Sequence, residues 1–210
     1  MSSDSGLLEL RIKLDQAITY GTPHEARMIA VQGLKEAEGR ILPGEIEYFK
    51  GQLDLINENF TVAIEHFDKA IKYNSTDAAA FNDRALCMVE LGIIDEAFVY
   101  FDKGISAEPD YATVYHNKGW LLNNIGRHKE AVECFRKALE LEPDRAVTYD
   151  NLADALLNLN DCAGALAAYR KVLELLQPGQ CMEIRNQVAE QIKFIEAKLS
   201  GNKGGSGKCQ

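Results

Sequence analysis

Basic residues are scarce in this chain. So are the long apolar runs, paired cysteines and histidine clusters on which many functions depend. Lysine and arginine number 23 against 32 aspartate and glutamate, for a formal net charge of −9. A general nucleic-acid binder needs a basic surface to meet phosphate, so that class is set aside; the acidic balance favours basic partners. No apolar stretch approaches the roughly 20 residues of a membrane span. The opening, MSSDSGLLEL, has neither a basic start nor a long apolar core. It does not read as a secretory signal, and the expected location is cytoplasmic. The five cysteines, Cys87, Cys134, Cys162, Cys181 and Cys209, are odd in number and form no Cys-x-x-Cys pair. That predicts free thiols in a reducing compartment.

Catalytic constellations are missing as well. The four histidines, His24, His66, His116 and His128, never fall four apart, and none pairs with cysteine at metal-ligand spacing. Gly207-Lys208 invites comparison with a phosphate-binding loop. Asn202 stands where that loop needs glycine, Cys209 replaces the Ser or Thr that holds magnesium, and no strand precedes it. Cys87 and Cys134 lie in helical patterns among apolar neighbours and read as small core fillers. The expectation is a protein without catalytic residues, metal or cofactor, and so not an enzyme.

What the sequence does have is a period. Residues 112–145, ATVYHNKGWLLNNIGRHKEAVECFRKALELEPDR, form two short helical phrases. Tyr115, Gly119 and Leu122 share one face of the first; Ala131, Phe135 and Ala138 share one face of the second. Gly126 separates them where a helix end favours positive φ, and Pro143 closes the unit. Gly119 recurs as Gly51, Ala85 and Ala153 at steps of 34. Ala131 recurs as Ala63, Ala97 and Ala165; Phe135 as Phe67, Phe101 and Tyr169; Ala138 as Ala70, Gly104 and Val172. Neither helix can bury its stripe alone, so each unit needs neighbours. A 34-residue period with these slots resembles the tetratricopeptide repeat.

The resemblance implies an all-α fold, a right-handed α-solenoid of stacked antiparallel helix pairs. The expected organisation is four repeats, 44–77, 78–111, 112–145 and 146–179, preceded by a divergent hairpin and insertion at 7–43. A disordered N-terminus (1–6), a capping helix (180–199) and a disordered tail (200–210) complete it. Thr22-Pro23-His24-Glu25 is a strong helix start, with Thr22 as cap and Pro23 at the first helical position. Ile41-Leu42-Pro43 reads as the insertion. Asn160 takes the glycine slot of the last repeat, which Asn tolerates. Glu58-Asn59 departs from the glycine pattern. Met182, Ile184, Val188, Ile192, Ile195 and Leu199 supply an inward stripe on the last helix.

In this family the first helix of each pair lines a concave surface that receives a partner. Carried over by register, the candidate partner-binding residues are Tyr48, Phe49 and Gln52, then Asn82, Asp83 and Leu86. They continue as His116, Asn117, Trp120 and Asn124, then Asp150 and Asn151. Asn117 and Asn151 hold the same slot in successive repeats, and an amide can both donate to and accept from a peptide backbone. Their bonding to neighbouring turns or water is the other reading, and both stay open. Trp120 either anchors a partner side chain or packs between repeats. No basic cluster is present to grip a terminal carboxylate, as one class of the family does. The carboxylates Asp83, Glu90, Asp150 and Asp154 instead favour a basic or neutral segment. The expected function is a protein–protein interaction adaptor holding a peptide or helix of another protein in the groove, with no nucleic acid and no membrane span. The alternative is a self-assembling structural scaffold.

Overall fold

The structure, a computed structural model, describes residues 4–176 and 181–201. The Pro178-Gly179 exit and the tail from Asn202 lie outside the described residues. Eleven α-helices and no β-strand occur among those described. They are α1 (Asp4–Tyr20), α2 (Pro23–Gly39), α3 (Pro43–Ile56), α4 (Phe60–Tyr73), α5 (Ala78–Glu90), α6 (Ile94–Ala107), α7 (Ala112–Asn124), α8 (His128–Leu141), α9 (Ala146–Asn158), α10 (Cys162–Leu175) and α11 (Met182–Gly201). Helix α1 begins at Asp4, ahead of the apolar pattern from Leu7, because a first turn carries no periodic signal.

The chain forms two compact units, Met1–Asp110 and Tyr111–Gln210. Within each unit every helix packs on the next, and α3 also meets α5 as α7 meets α9. The result is the stacking of helix pairs that defines an α-solenoid.

The repeated slots explain the stacking. Gly51, Ala85, Gly119 and Ala153 are all buried. A Cβ on Gly51 would lie 2.7 Å from the Phe67 ring, and one on Gly119 would lie 2.9 Å from the Phe135 ring. Small residues on the first helix thus let the aromatic of the second lie against bare backbone. Phe67, Phe101 and Phe135 are fully buried, as are Ala63, Ala97, Ala131 and Ala165.

Tight turns end the helices. In the turns after α2, α3, α5, α7 and α9 the chain closes with a pair of backbone bonds, such as Gly126 N–H to Asn123 O (3.1 Å) and Arg127 N–H to Leu122 O (2.8 Å). This Schellman closure needs one left-handed residue. Gly92 and Gly126 supply it, as does Asn160 at φ 59°. Glu58 does so at φ 61° and Ile41 at φ 56°. The segment read as an insertion is therefore a helix closure followed by a helix start, since Pro43 is already the first turn of α3. Ile41 is β-branched, left-handed and exposed, a combination that stores strain. Ile41→Gly is expected to stabilise the protein by about 1 kcal/mol and to raise Tm by roughly 2–4 °C in a thermal melt.

Thr22 caps α2 as its sequence indicated, its hydroxyl accepting the Glu25 N–H at 3.2 Å. Helix α11 packs on α10 through a narrower stripe than the pattern implied. Val188 and Ile195 are buried, while Met182 and Ile184 stand exposed in its first turn. Cys87, Cys134 and Cys181 keep their thiols, and Cys162 is disulfide-bonded, contrary to the expectation for all five. Burial, together with Asp83, pushes the Cys87 thiol up to about 12, so it serves as packing.

Candidate functional site

The candidate residues divide by burial. In the first unit Tyr48, Phe49, Gln52 and Asn82 are buried, while Asp83 and Leu86 are half-buried. In the second, His116 is buried, Asn117, Trp120, Asp150 and Asn151 are half-buried, and Asn124 is exposed. The register placed all twelve on first helices. It could not tell an open position from one filled by a neighbouring helix.

Phe49 shows the difference. A Cβ on Gly33 of α2 would lie 2.2 Å from its ring, so the ring packs against that helix and is fully buried. Tyr48 makes an edge contact with Phe49 at 5.4 Å and carries the Arg11 guanidinium over its own ring at 3.6 Å. Arg11 ties α1 to both later first helices. It donates to both Asp77 oxygens (3.0 and 2.8 Å) and both Glu45 oxygens (3.0 and 3.1 Å). Burial works against its charge, and Asp77, Tyr48 and Glu45 more than compensate, holding the guanidinium above its usual range. Asp77 also caps α5 by accepting from Ala80 N–H at 3.1 Å. Sequence reasoning missed this triad, although a signal existed. Arg11 lies between Leu7 and Leu14 on the buried stripe of α1, where a charge demands a partner.

Asp83 is hydrogen-bonded by the Tyr48 hydroxyl. It accepts from Asn82 Nδ2 at 2.8 Å and, in a short contact, from Gln52 Nε2. Burial pushes its carboxyl up to about 7 against the Asn82 bond, with Asp15 adding to the rise.

In the second unit α7 and α9 face each other through polar groups. His116 Nδ1 lies 2.8 Å from Thr148 Oγ1, and Asn151 Nδ2 approaches His116 Nε2 at 3.5 Å. The Nδ2 group of Asn151 is a donor, which matches the tautomer with the ring proton on Nδ1, donating to Thr148. Arg145 donates to Thr113 at 3.0 Å, and Asn158 to Asn123 at 3.3 Å. Part of the amide capacity is thus spent within the protein. Asp150 is pushed up to about 6 by burial and by Asp154, four residues along α9. Asp154 in turn accepts a short bond from the Tyr169 hydroxyl.

Burial, helped by Arg145, lowers His116 to about 3 from its ordinary value of 6.5. A depressed folded value means stability that is full above pH 6.5 and is lost as pH falls toward 3. In urea unfolding, wild type is expected to lose about 2 kcal/mol more than His116→Gln between neutral pH and pH 4.5. Equal losses would mean the imidazole is charged when folded.

Among the described residues no group of three His, Cys, Asp or Glu side chains is arranged to hold a metal ion. No helix there is long and apolar enough to cross a membrane.

Stacked helix pairs, small-residue seats for buried aromatics and a 34-residue register define a helical-repeat protein of the kind that serves as an interaction scaffold. Sequence comparison is specific about which kind. The tetratricopeptide repeat family matches residues 48–112, 112–145 and 145–177, and the chain belongs to that family. Among solved structures it is similar to TTC0263, a thermophilic tetratricopeptide repeat protein of Thermus thermophilus. That likeness has a TM-score of 0.70 at 19% identity, over 88% of this chain and 97% of that one. It is also similar to MamA (TM-score 0.58, 20% identity, 77% and 93% covered). The third is MamA from Desulfovibrio magneticus RS-1 (TM-score 0.56, 21% identity, 80% and 94% covered). At these identities the likeness speaks for the fold. No curated protein matches the chain by sequence.

Proposed function

We infer that this protein is a non-enzymatic adaptor, and that its second unit binds a segment of another protein along α7 and α9. What supports this reading is the half-open state of Trp120, Asn117, Asp150 and Asn151, beside the exposed Asn124, on helices whose other sides are used in stacking. An aromatic plane flanked by amides holds an extended backbone without demanding one sequence. The carboxylates Asp150 and Asp154 bias the choice toward basic or neutral segments. Asp83 and Leu86 remain as first-unit candidates.

Trp120 is the sole tryptophan, so its emission reports directly on this face. A partner isolated by pull-down is expected to shift that emission on titration. It should bind Asn117→Ala/Trp120→Ala/Asn151→Ala at least tenfold more weakly, the loss of one anchor being worth about 1–2 kcal/mol. Unchanged binding by the triple variant would sink the site. Self-assembly is the competing reading, favoured by exposed Phe194 and Met182 on α11; light scattering that stays monomeric with concentration removes it.

A further inference from the structure

Twice within this chain an aromatic ring beside a carboxylate holds an arginine. Arg11 lies over the Tyr48 ring at 3.6 Å and is paired with Asp77 and Glu45. Arg84 lies over the Tyr100 ring at 3.7 Å and is paired with Asp68 at 2.6 Å. The second unit sets out a third pairing of this kind. Trp120 of α7 and Asp154 of α9 are 34 residues apart and hold the same slot in successive repeats. Two bonds fix the helices in that register, Asn151 to His116 at 3.5 Å and Asn158 to Asn123 at 3.3 Å. Trp120 falls between His116 and Asn123, and Asp154 between Asn151 and Asn158, so ring and carboxylate border the same stretch of the groove. Asp150 precedes Asp154 by one turn on the same side of α9. Asp154 is exposed, and Trp120 and Asp150 are half-buried. The Tyr169 hydroxyl of α10 donates to one Asp154 oxygen and holds that carboxylate in place. Among the described residues no cation lies over Trp120 and none pairs with Asp150 or Asp154.

We propose that Trp120, Asp154 and Asp150 form a docking surface for an arginine side chain of the segment bound along α7 and α9. The inference rests on the reading of these helices as the partner-binding face, and it names what the segment carries there. A guanidinium is planar, so it can lie on the indole while its N–H groups turn toward the carboxylates. Arg11 and Arg84 already show that arrangement in this molecule. Packed helices stand about 8–10 Å apart, a span that a guanidinium between a ring and a carboxylate can bridge. Charge complementarity points the same way. Carboxylates one turn apart repel, and burial together with Asp154 opposes the ionised form of Asp150; a cation relieves both effects. Asp150 accepts from no described residue, so both of its oxygens can meet the two parallel N–H groups of an arginine. Lysine fits less well, because its ammonium is a strongly hydrated point charge with neither a plane for the indole nor a fork for the carboxylate.

The test uses the full chain labelled for NMR and a blocked pentapeptide, Gly-Ser-Arg-Ser-Gly. One twin carries citrulline, which keeps the shape without the charge, and another carries lysine, which keeps the charge without the plane. Trp120 is the sole tryptophan, so a single indole N–H signal reports on the site. At millimolar concentration the arginine peptide should move that signal saturably, and the citrulline twin should leave it in place. The lysine twin should bind at least about threefold more weakly. Asp154→Asn keeps an acceptor for the Tyr169 hydroxyl, and Asp150→Asn preserves shape; each should weaken arginine-peptide binding roughly fivefold or more. Glu133→Gln, an exposed change on α8, should bind as wild type does. The proposal is overturned if the citrulline twin moves the indole signal equally, if the lysine twin binds as tightly, or if both aspartate variants bind like wild type. The parent reading fails separately, through the pulled-down partner and Asn117→Ala/Trp120→Ala/Asn151→Ala. A partner that loses affinity for that variant yet keeps it for Asp154→Asn and Asp150→Asn leaves the α7/α9 surface standing and removes the arginine.

Discussion

Arg11→Met is expected to lower the unfolding free energy by about 3–5 kcal/mol, because it strands two carboxylates in a partly desolvated site. The Arg11 side chain is 16% exposed and Asp77 7%, so solvent cannot replace the lost guanidinium bonds. Tyr48 also loses the cation over its ring, and the stem of Arg11 no longer packs there. Urea unfolding of wild type and variant measures the loss. Hydrogen exchange locates it, with faster exchange expected in α1 and in the first turns of α3 and α5. The double variant Arg11→Met/Asp77→Asn should recover part of the loss, since it removes one stranded charge and keeps an acceptor for Ala80 N–H. A loss below about 1 kcal/mol would show that the bridge behaves like a surface ion pair. The three first helices would then owe their order to apolar packing alone.

Phe135→Ala should cost about as much, roughly 3–5 kcal/mol, for a different reason. The ring is fully buried and lies against the bare backbone of Gly119, with His116 tilted beside it at 5.9 Å. Removing it empties a seat that glycine cannot refill. Phe194→Ala on α11 is the control. That ring is 57% exposed, so the same deletion should change stability by less than about 1 kcal/mol. Both variants can be followed by denaturant melts. In Phe135→Ala the Trp120 emission should also shift in the folded state, because Trp120 follows Gly119 directly on α7. Equal costs for Phe135 and Phe194 would contradict the view that the aromatic slot of the repeat is the packing centre.

These two effects describe different ways of holding first helices together. In the second unit the contact between α7 and α9 includes neutral polar groups, with His116 kept uncharged by burial. In the first unit an ionised triad spans α1, α3 and α5.

The period of 34, the small residue, the alanine and the aromatic were legible in the sequence because every helix pair must solve the same packing problem. Residues under one constraint repeat in phase, so helix number, pairing and the buried slots followed from spacing alone. So did the Thr22 cap, which depends only on residues within one turn. What spacing could not decide was the fate of the variable first-helix positions. Phe49 and Asn117 hold the same slot, yet one ring is pressed onto Gly33 and the other side chain stays half-open. The difference comes from which neighbour lies opposite, and that neighbour is remote in sequence. Arg11 makes the same point across 66 residues to Asp77. Whether a polar side chain is satisfied, stranded or left for a partner depends on distances between helices, and only the tertiary structure sets them.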